Sequence, residues 1–273
     1  MEPKLVEEWL LHLHQKKDLA WPTINKVKQA MQGAFKYGRK EKLLPADFDP
    51  FKDIACEISS NYEAITCTPE QTLWILRELE EPKFILTLLI AATGLSISEA
   101  LVCSGRTSNI TAIGLFVRRS WVEEVGNCKN VHRKVPVAMH PVLAAHLKHW
   151  HDETPYAAPT DWVFASTKLK GAKPRCGSIA GQIYLYPAAA KAGVFNSVEE
   201  RNGQGELVGV RYVDQSGNSI KRWGWHNLRH SLASWLVSSG VDVKTVSSML
   251  RHSNVRTTLN IYSHRDSSWS HCS

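Results

Sequence analysis

The chain has 273 residues, 22% of them charged, with a formal net charge of +7 and a pI of about 9.1. That length suits one large domain plus a small one, and the basic balance points to an anionic partner. Six cysteines (Cys56, Cys67, Cys103, Cys128, Cys176, Cys272) lie far apart with no CxxC pair, which speaks against a zinc ribbon or a disulfide framework and for reduced thiols in a cytoplasm. The start, Met-Glu-Pro-Lys, has no apolar secretory core, and the longest apolar run, Phe84 to Leu95, is too short for a bilayer and reads as a buried helix, so no membrane is expected as a partner.

In chain order, Leu5, Trp9 and Leu13 repeat at helical spacing, and a second helix opens near Pro22 with Ile24, Val27, Met31 and Phe35 as its stripe. Its other face carries Lys26, Lys28, Lys36, Arg39 and Lys40, which would contact phosphates on double-stranded DNA or form a plain solvated face. Residues 56–67 read as a linker after a small helical domain, 1–55. Thr68-Pro69-Glu70 is a helix start that leads to about Glu80, followed by the buried helix. Next stands Thr93-Gly-Leu-Ser96-Ile-Ser-Glu99.

Residues 115–122 and 131–137 are rich in strand formers and flank 124–130, which reads as a hairpin turn carrying Lys129. A helix rich in histidine covers 141–151, and another covers about 178–192. The Asn202-Gly203 and Gln215–Asn218 stretches mark turns around strands at 208–213 and 219–223, giving a second hairpin.

Residues 223–264 hold the densest functional pattern. His226 and Arg229 share a helix face, Gly240 ends that helix and Asp242 caps the next. Val243, Val246 and Leu250 give its buried stripe, with His252 at its end; Val255, Leu259 and Tyr262 give a third, shorter stripe. A tyrosine hydroxyl can attack a phosphodiester, and arginine and histidine donors stabilise the charge that gathers on the phosphoryl oxygens. Taken singly, each residue has a plainer role: a solvated His-x-x-Arg face, or a core tyrosine. His226 and His230 sit at zinc-helix spacing but lack the metalloprotease glutamate, and no carboxylate cluster suits Mg²⁺, so no metal is expected.

The ordered set His226-Asn-Leu-Arg229, Leu-Arg-His252-Ser and Thr-Thr-Leu-Asn-Ile-Tyr262 resembles the tyrosine recombinases, the phage integrase family. The resemblance implies a mostly α fold with a small antiparallel β-sheet over residues 68–264, preceded by a truncated core-binding DNA clamp at 1–55 and followed by a short tail, 265–273. It implies DNA cleavage and rejoining through a 3′-phosphotyrosine, without cofactor: Tyr262 as nucleophile, Arg229 and His252 on the phosphorane, His226 assisting, and Lys129 (or Lys134) as general acid. Where the family carries its first catalytic arginine this chain has Ser96, and Cys103–Ile110 also departs from the family pattern. The resemblance therefore implies impaired cleavage, with Arg106 as a substitute arginine within reach in sequence, or a DNA-binding relic without catalysis. Self-association on DNA is implied as well, weakened by the short tail.

Overall fold

The structure is a computed structural model that describes residues 3–54, 64–103, 119–122, 124–127, 137, 139–220 and 223–251. Its contacts divide the chain into two compact units, Met1–Tyr62 and Glu63–Ser273.

The first unit pairs α1 (Pro3–Lys17) with α2 (Trp21–Lys40), and Pro22 sits in the first turn of α2, where its missing N–H costs nothing. Val6 and Leu10 of α1 and Ile24 of α2 are buried, and Phe51 and Ile54 close this small core. Phe35 meets Phe51 edge-on, with ring centres 5.6 Å apart.

The second unit begins with α3 (Pro69–Arg77), whose cap is reciprocal: Thr68 Oγ1 accepts from Gln71 N at 3.1 Å, and Thr68 N donates back to Gln71 Oε1 at 2.9 Å. The apolar run becomes α4 (Lys83–Thr93), the central helix of the larger core. Its buried threonines are satisfied within the helix, Thr87 by Lys83 O and Thr93 by Leu89 O. Then come α5 (Ile97–Leu101), β1 (Arg119–Val122), β2 (Glu124–Asn127) and α6 (Pro141–Glu153). Helix α7 (Gly177–Ala180) runs through a widened π-type turn, Gly181–Leu185, into α8 (Tyr186–Lys191). Strands β3 (Asn196–Arg201) and β4 (Leu207–Val213) follow, and the described part ends with α9 (Trp225–Ser238) and α10 (Val243–Met249). The fold is mostly helical, and each antiparallel sheet among the described residues has two strands.

Both hairpins differ from the sequence reading. β1 and β2 pair directly from Val122↔Glu124 outward, so half of the segment read as a turn is strand. β4 pairs with β3, Asn196↔Val213 to Arg201↔Leu207, across the Asn202-Gly203 turn. Of residues 219–223, the described ones, 219, 220 and 223, add one bridge, Val213↔Ser219, and no strand. They serve the core instead: Trp223 packs edge-on against Tyr186 and Phe195, and Tyr186 Oη donates to Trp223 O at 2.8 Å. Every residue of β3 is exposed, and the hairpin tip, Asn202–Glu206, is held by Asn202 Oδ1, which accepts from Gln204 N and Glu206 N. No described helix is long and apolar enough to cross a membrane.

Candidate active site

Arg229 projects from the middle of α9 and is 2% exposed. Its guanidinium donates through Nη1 to Gly94 O, at the end of α4, and through Nη2 to Leu250 O, at the end of α10. One planar fork thus ties three helices, a use for which arginine's fixed donors are suited and lysine's are not. The close approach needs Gly94: it stands at φ +65°, and a Cβ there would lie 2.4 Å from Leu250 Cδ2. The rest of α9 is fixed against residues 65–67. Asn227 Nδ2 donates to Ile65 O, Ser231 Oγ accepts from Cys67 N, and Trp235 Nε1 donates to Cys67 O, all at 2.8–2.9 Å.

Ser96 lies two residues past Gly94 and caps α5. Its main-chain N and its hydroxyl both donate to Glu99 Oε2, at 2.9 and 2.8 Å. Ser-x-x-Glu is a helix-start signature, and here it is used as one. Glu99 is fully buried, and the same Oε2 faces Arg251 Nη2 at 3.4 Å. Arg251 is itself 4% exposed and stands at φ +55°. Burial, with Glu99 next among the causes, pushes the neighbouring Cys103 thiol up to about 12.

His226 is exposed at the start of α9, and its ring meets His230 edge-on at 4.4 Å. Burial, the His226 ring and the Arg229 guanidinium together lower the His230 imidazole from 6.5 to about 4. His230 is therefore neutral near pH 7, and its buried Nδ1 has no hydrogen-bond partner among the described residues.

The structure brings Arg229 and Ser96 together through Gly94 and α5, and places His226 one turn before Arg229 on α9. Lys129, Lys134, Arg106, His252 and Tyr262 lie outside the described residues. Glu99 and Arg251 escaped the sequence reading, although the Ser-x-x-Glu signature was there to be read. Of the five basic residues of α2, Lys26, Lys36 and Lys40 are exposed. Lys28 corrects the sequence reading: it is 8% exposed, and its ammonium donates to Ile54 O inside the first unit. Arg39 is half-buried, donates to Phe48 O at 2.7 Å and faces Asp49 at 3.7 Å. Among the described residues no group of three His, Cys, Asp or Glu is arranged to hold a metal ion.

The model of the phage integrase family matches residues 66–268. An integrase/recombinase of Escherichia coli is 27% identical over 239 residues, 84% of this chain and 67% of that protein. A XerD tyrosine recombinase of Bradyrhizobium diazoefficiens is 26% identical over 227 residues, 83% of this chain and 59% of its own length. Among solved structures, the Tn1549 transposon integrase in complex with transposon right end DNA shares the fold at a TM-score of 0.70 and 17% identity, over 97% of this chain and 81% of that one. A lambda integrase dimer bound to a core site matches at 0.62 and 13%, over 100% and 83%. The mostly helical unit with its small antiparallel sheets is the fold of these catalytic domains. With the family model spanning most of its length, the chain belongs to the phage integrase family, the tyrosine recombinases, and is by that membership a DNA strand transferase.

Proposed function

We propose that this chain is a site-specific DNA recombinase acting through a 3′-phosphotyrosine on Tyr262, with cleavage slowed because Ser96 stands where the family has an arginine. The observation that carries the reading is Arg229, held buried between the ends of α4 and α10 by two carbonyls. A guanidinium fixed in this way is preorganised for the charge that develops on a phosphoryl group, so little reorganisation is needed when the bond breaks. His226 shares its helix, and in sequence His252 stands two residues after Leu250, whose carbonyl accepts from it.

In the proposed reaction the Tyr262 hydroxyl passes its proton to His226 as its oxygen attacks phosphorus, and the bond to the 5′ oxygen breaks. That oxygen leaves as a hydroxyl, taking its proton from Lys129, and the phosphate stays on the tyrosine. Attack by a 5′ hydroxyl reverses the step and rejoins the strand. One phosphodiester is exchanged for another, so neither nucleotide nor metal is required. Residues 1–55 serve as the DNA clamp through Lys26, Lys36 and Lys40, residues 68–264 as the catalytic domain, and self-association occurs on DNA.

Ser96 supports the slowed chemistry, because its short neutral side chain is committed to Glu99. Loss of one preorganised donor typically costs roughly 10²–10³ in rate. The test is relaxation of negatively supercoiled plasmid in EDTA, with detergent trapping of covalent complex and mass spectrometry of the adduct. Slow relaxation, an adduct on Tyr262 and a faster rate in Ser96→Arg are expected. DNA binding with no adduct in either protein would instead identify a non-catalytic relic, and an adduct on Tyr184 or Tyr186 would overturn the assignment of the nucleophile.

A further inference from the structure

His226 and His230 stand one turn apart on α9, in opposite surroundings. His226 is exposed at the start of the helix, whereas His230 is half-buried and its Nδ1 is withdrawn from water. Their rings meet at 83° with centres 4.4 Å apart, the edge-to-face arrangement that aromatic pairs prefer. The helix beneath them is fixed: Asn227, Ser231 and Trp235 bind it to residues 65–67, and Arg229 ties it to the ends of α4 and α10.

Burial first, then the His226 ring and the Arg229 guanidinium, hold the His230 imidazole down at about 4, and no carboxylate is among the groups that act on it. A charge on His230 would stand within one turn of Arg229 and of a charged His226, and like charges repel. A proton delivered to this pair above about pH 4 therefore rests on His226, and His230 stays a neutral ring. Paired groups whose surroundings push them apart mark a division of roles. A neutral ring does two things beside an imidazole that receives a proton. Contact with it narrows the orientations of that imidazole, and its π face attracts the imidazolium that forms.

We propose that His230 is a positioning residue for strand cleavage: packed against His226, it fixes that imidazole in the orientation that receives the Tyr262 proton. The proposal rests on the recombinase reading given above and adds a residue to its machinery. As the Tyr262 oxygen bonds to phosphorus, its proton passes to His226 and goes no further, since His230 does not accept it. Rejoining returns the proton to the tyrosine as the bond between phosphorus and the Tyr262 oxygen breaks. In this role His230 acts only through His226.

The test is a double-mutant cycle on the full chain, read as single-turnover formation of covalent complex on negatively supercoiled plasmid. His230→Leu keeps apolar bulk and removes the ring. Covalent complex is then expected to form about 2- to 13-fold more slowly, the worth of one edge-on ring pair. His230→Phe keeps a neutral ring and is expected to lose less. In a His226→Ala background His230→Leu changes the rate no further, because the imidazole it positions is gone. Duplex affinity, followed by fluorescence anisotropy, stays the same in His230→Leu. Slowing by the same factor in both backgrounds, as damage to the fold would also give, overturns the proposal and leaves His230 a packing residue of α9. So does equal slowing by leucine and phenylalanine, or a rate indifferent to both. If the unmodified chain forms no covalent complex, the recombinase reading itself fails, and His230 has no step to serve.

Discussion

Ser96 shows how a single position can look like a defect and be a device. Its hydroxyl and main-chain N hold Glu99 at the start of α5, so Ser96→Arg removes a helix cap worth about 0.5–2 kcal/mol, and a lower melting temperature is expected alongside any gain in cleavage rate. His230, four residues beyond His226, is the other informative residue. Its imidazole titrates near 4 in the folded chain because it is buried beside a histidine and an arginine, and near 6.5 when unfolded. The folded state therefore binds fewer protons than the unfolded state between these values. Stability from the neutral ring is complete above about pH 6.5 and is lost as pH falls towards 4. Melting temperatures followed from pH 7 to pH 4 are expected to decline less in His230→Phe than in the unmodified protein. Equal declines would mean that His230 does not titrate in this window.

Helix α2 illustrates what a face assignment can miss. Lys28 follows Ile24 by one turn and precedes Phe35 by two, so it lies on the buried side of the stripe, not opposite it. Its stem runs along the apolar core and its ammonium reaches Ile54 O. Lys28→Met is thus expected to destabilise the first unit by about 1–3 kcal/mol, the cost of leaving a buried acceptor unsatisfied. Faster hydrogen exchange of the Ile24–Phe35 amides with an unchanged salt slope of DNA binding is the pattern to look for. The other elements were legible to different degrees. α4 announced itself by a run of apolar residues, α3 by its Thr-Pro start, and α10 by Asp242, whose carboxylate accepts from Lys244 N and Thr245 N. β3 was missed because Asn-Ser-Val-Glu-Glu-Arg buries neither face and so carries no alternation. Gly126-Asn127 imitated a turn inside β2, since local turn chemistry says nothing of which strand lies alongside. In the site, Arg229 and His226 were read from order and spacing, whereas Arg251 depends on a contact with Glu99 across 152 positions of sequence, which no local pattern encodes.

At the scale of the whole molecule, nearly all of the net charge of +7 lies in the larger unit, since Asp and Glu almost balance Lys and Arg in residues 1–62, yet α2 presents Lys26, Lys36 and Lys40 to solvent. If each meets one phosphate, these three contribute about −2.7 to the slope of log K against log salt. The triple alanine variant is expected to flatten the slope by that amount while its covalent chemistry on DNA, once bound, proceeds at the ordinary rate. A flattening far below this would move the DNA contact elsewhere on the basic surface. The comparison separates grip from chemistry.

The β3–β4 hairpin has a practical corollary. At its tip a side chain added at Gly203 would find open space, while its base is moored by Tyr212, Phe195 and Trp223. Foreign sequence can enter a loop of this kind with little loss of stability, because the segments that must hold remain outside the graft. The tip is therefore a socket for a fluorophore-binding peptide or an affinity tag.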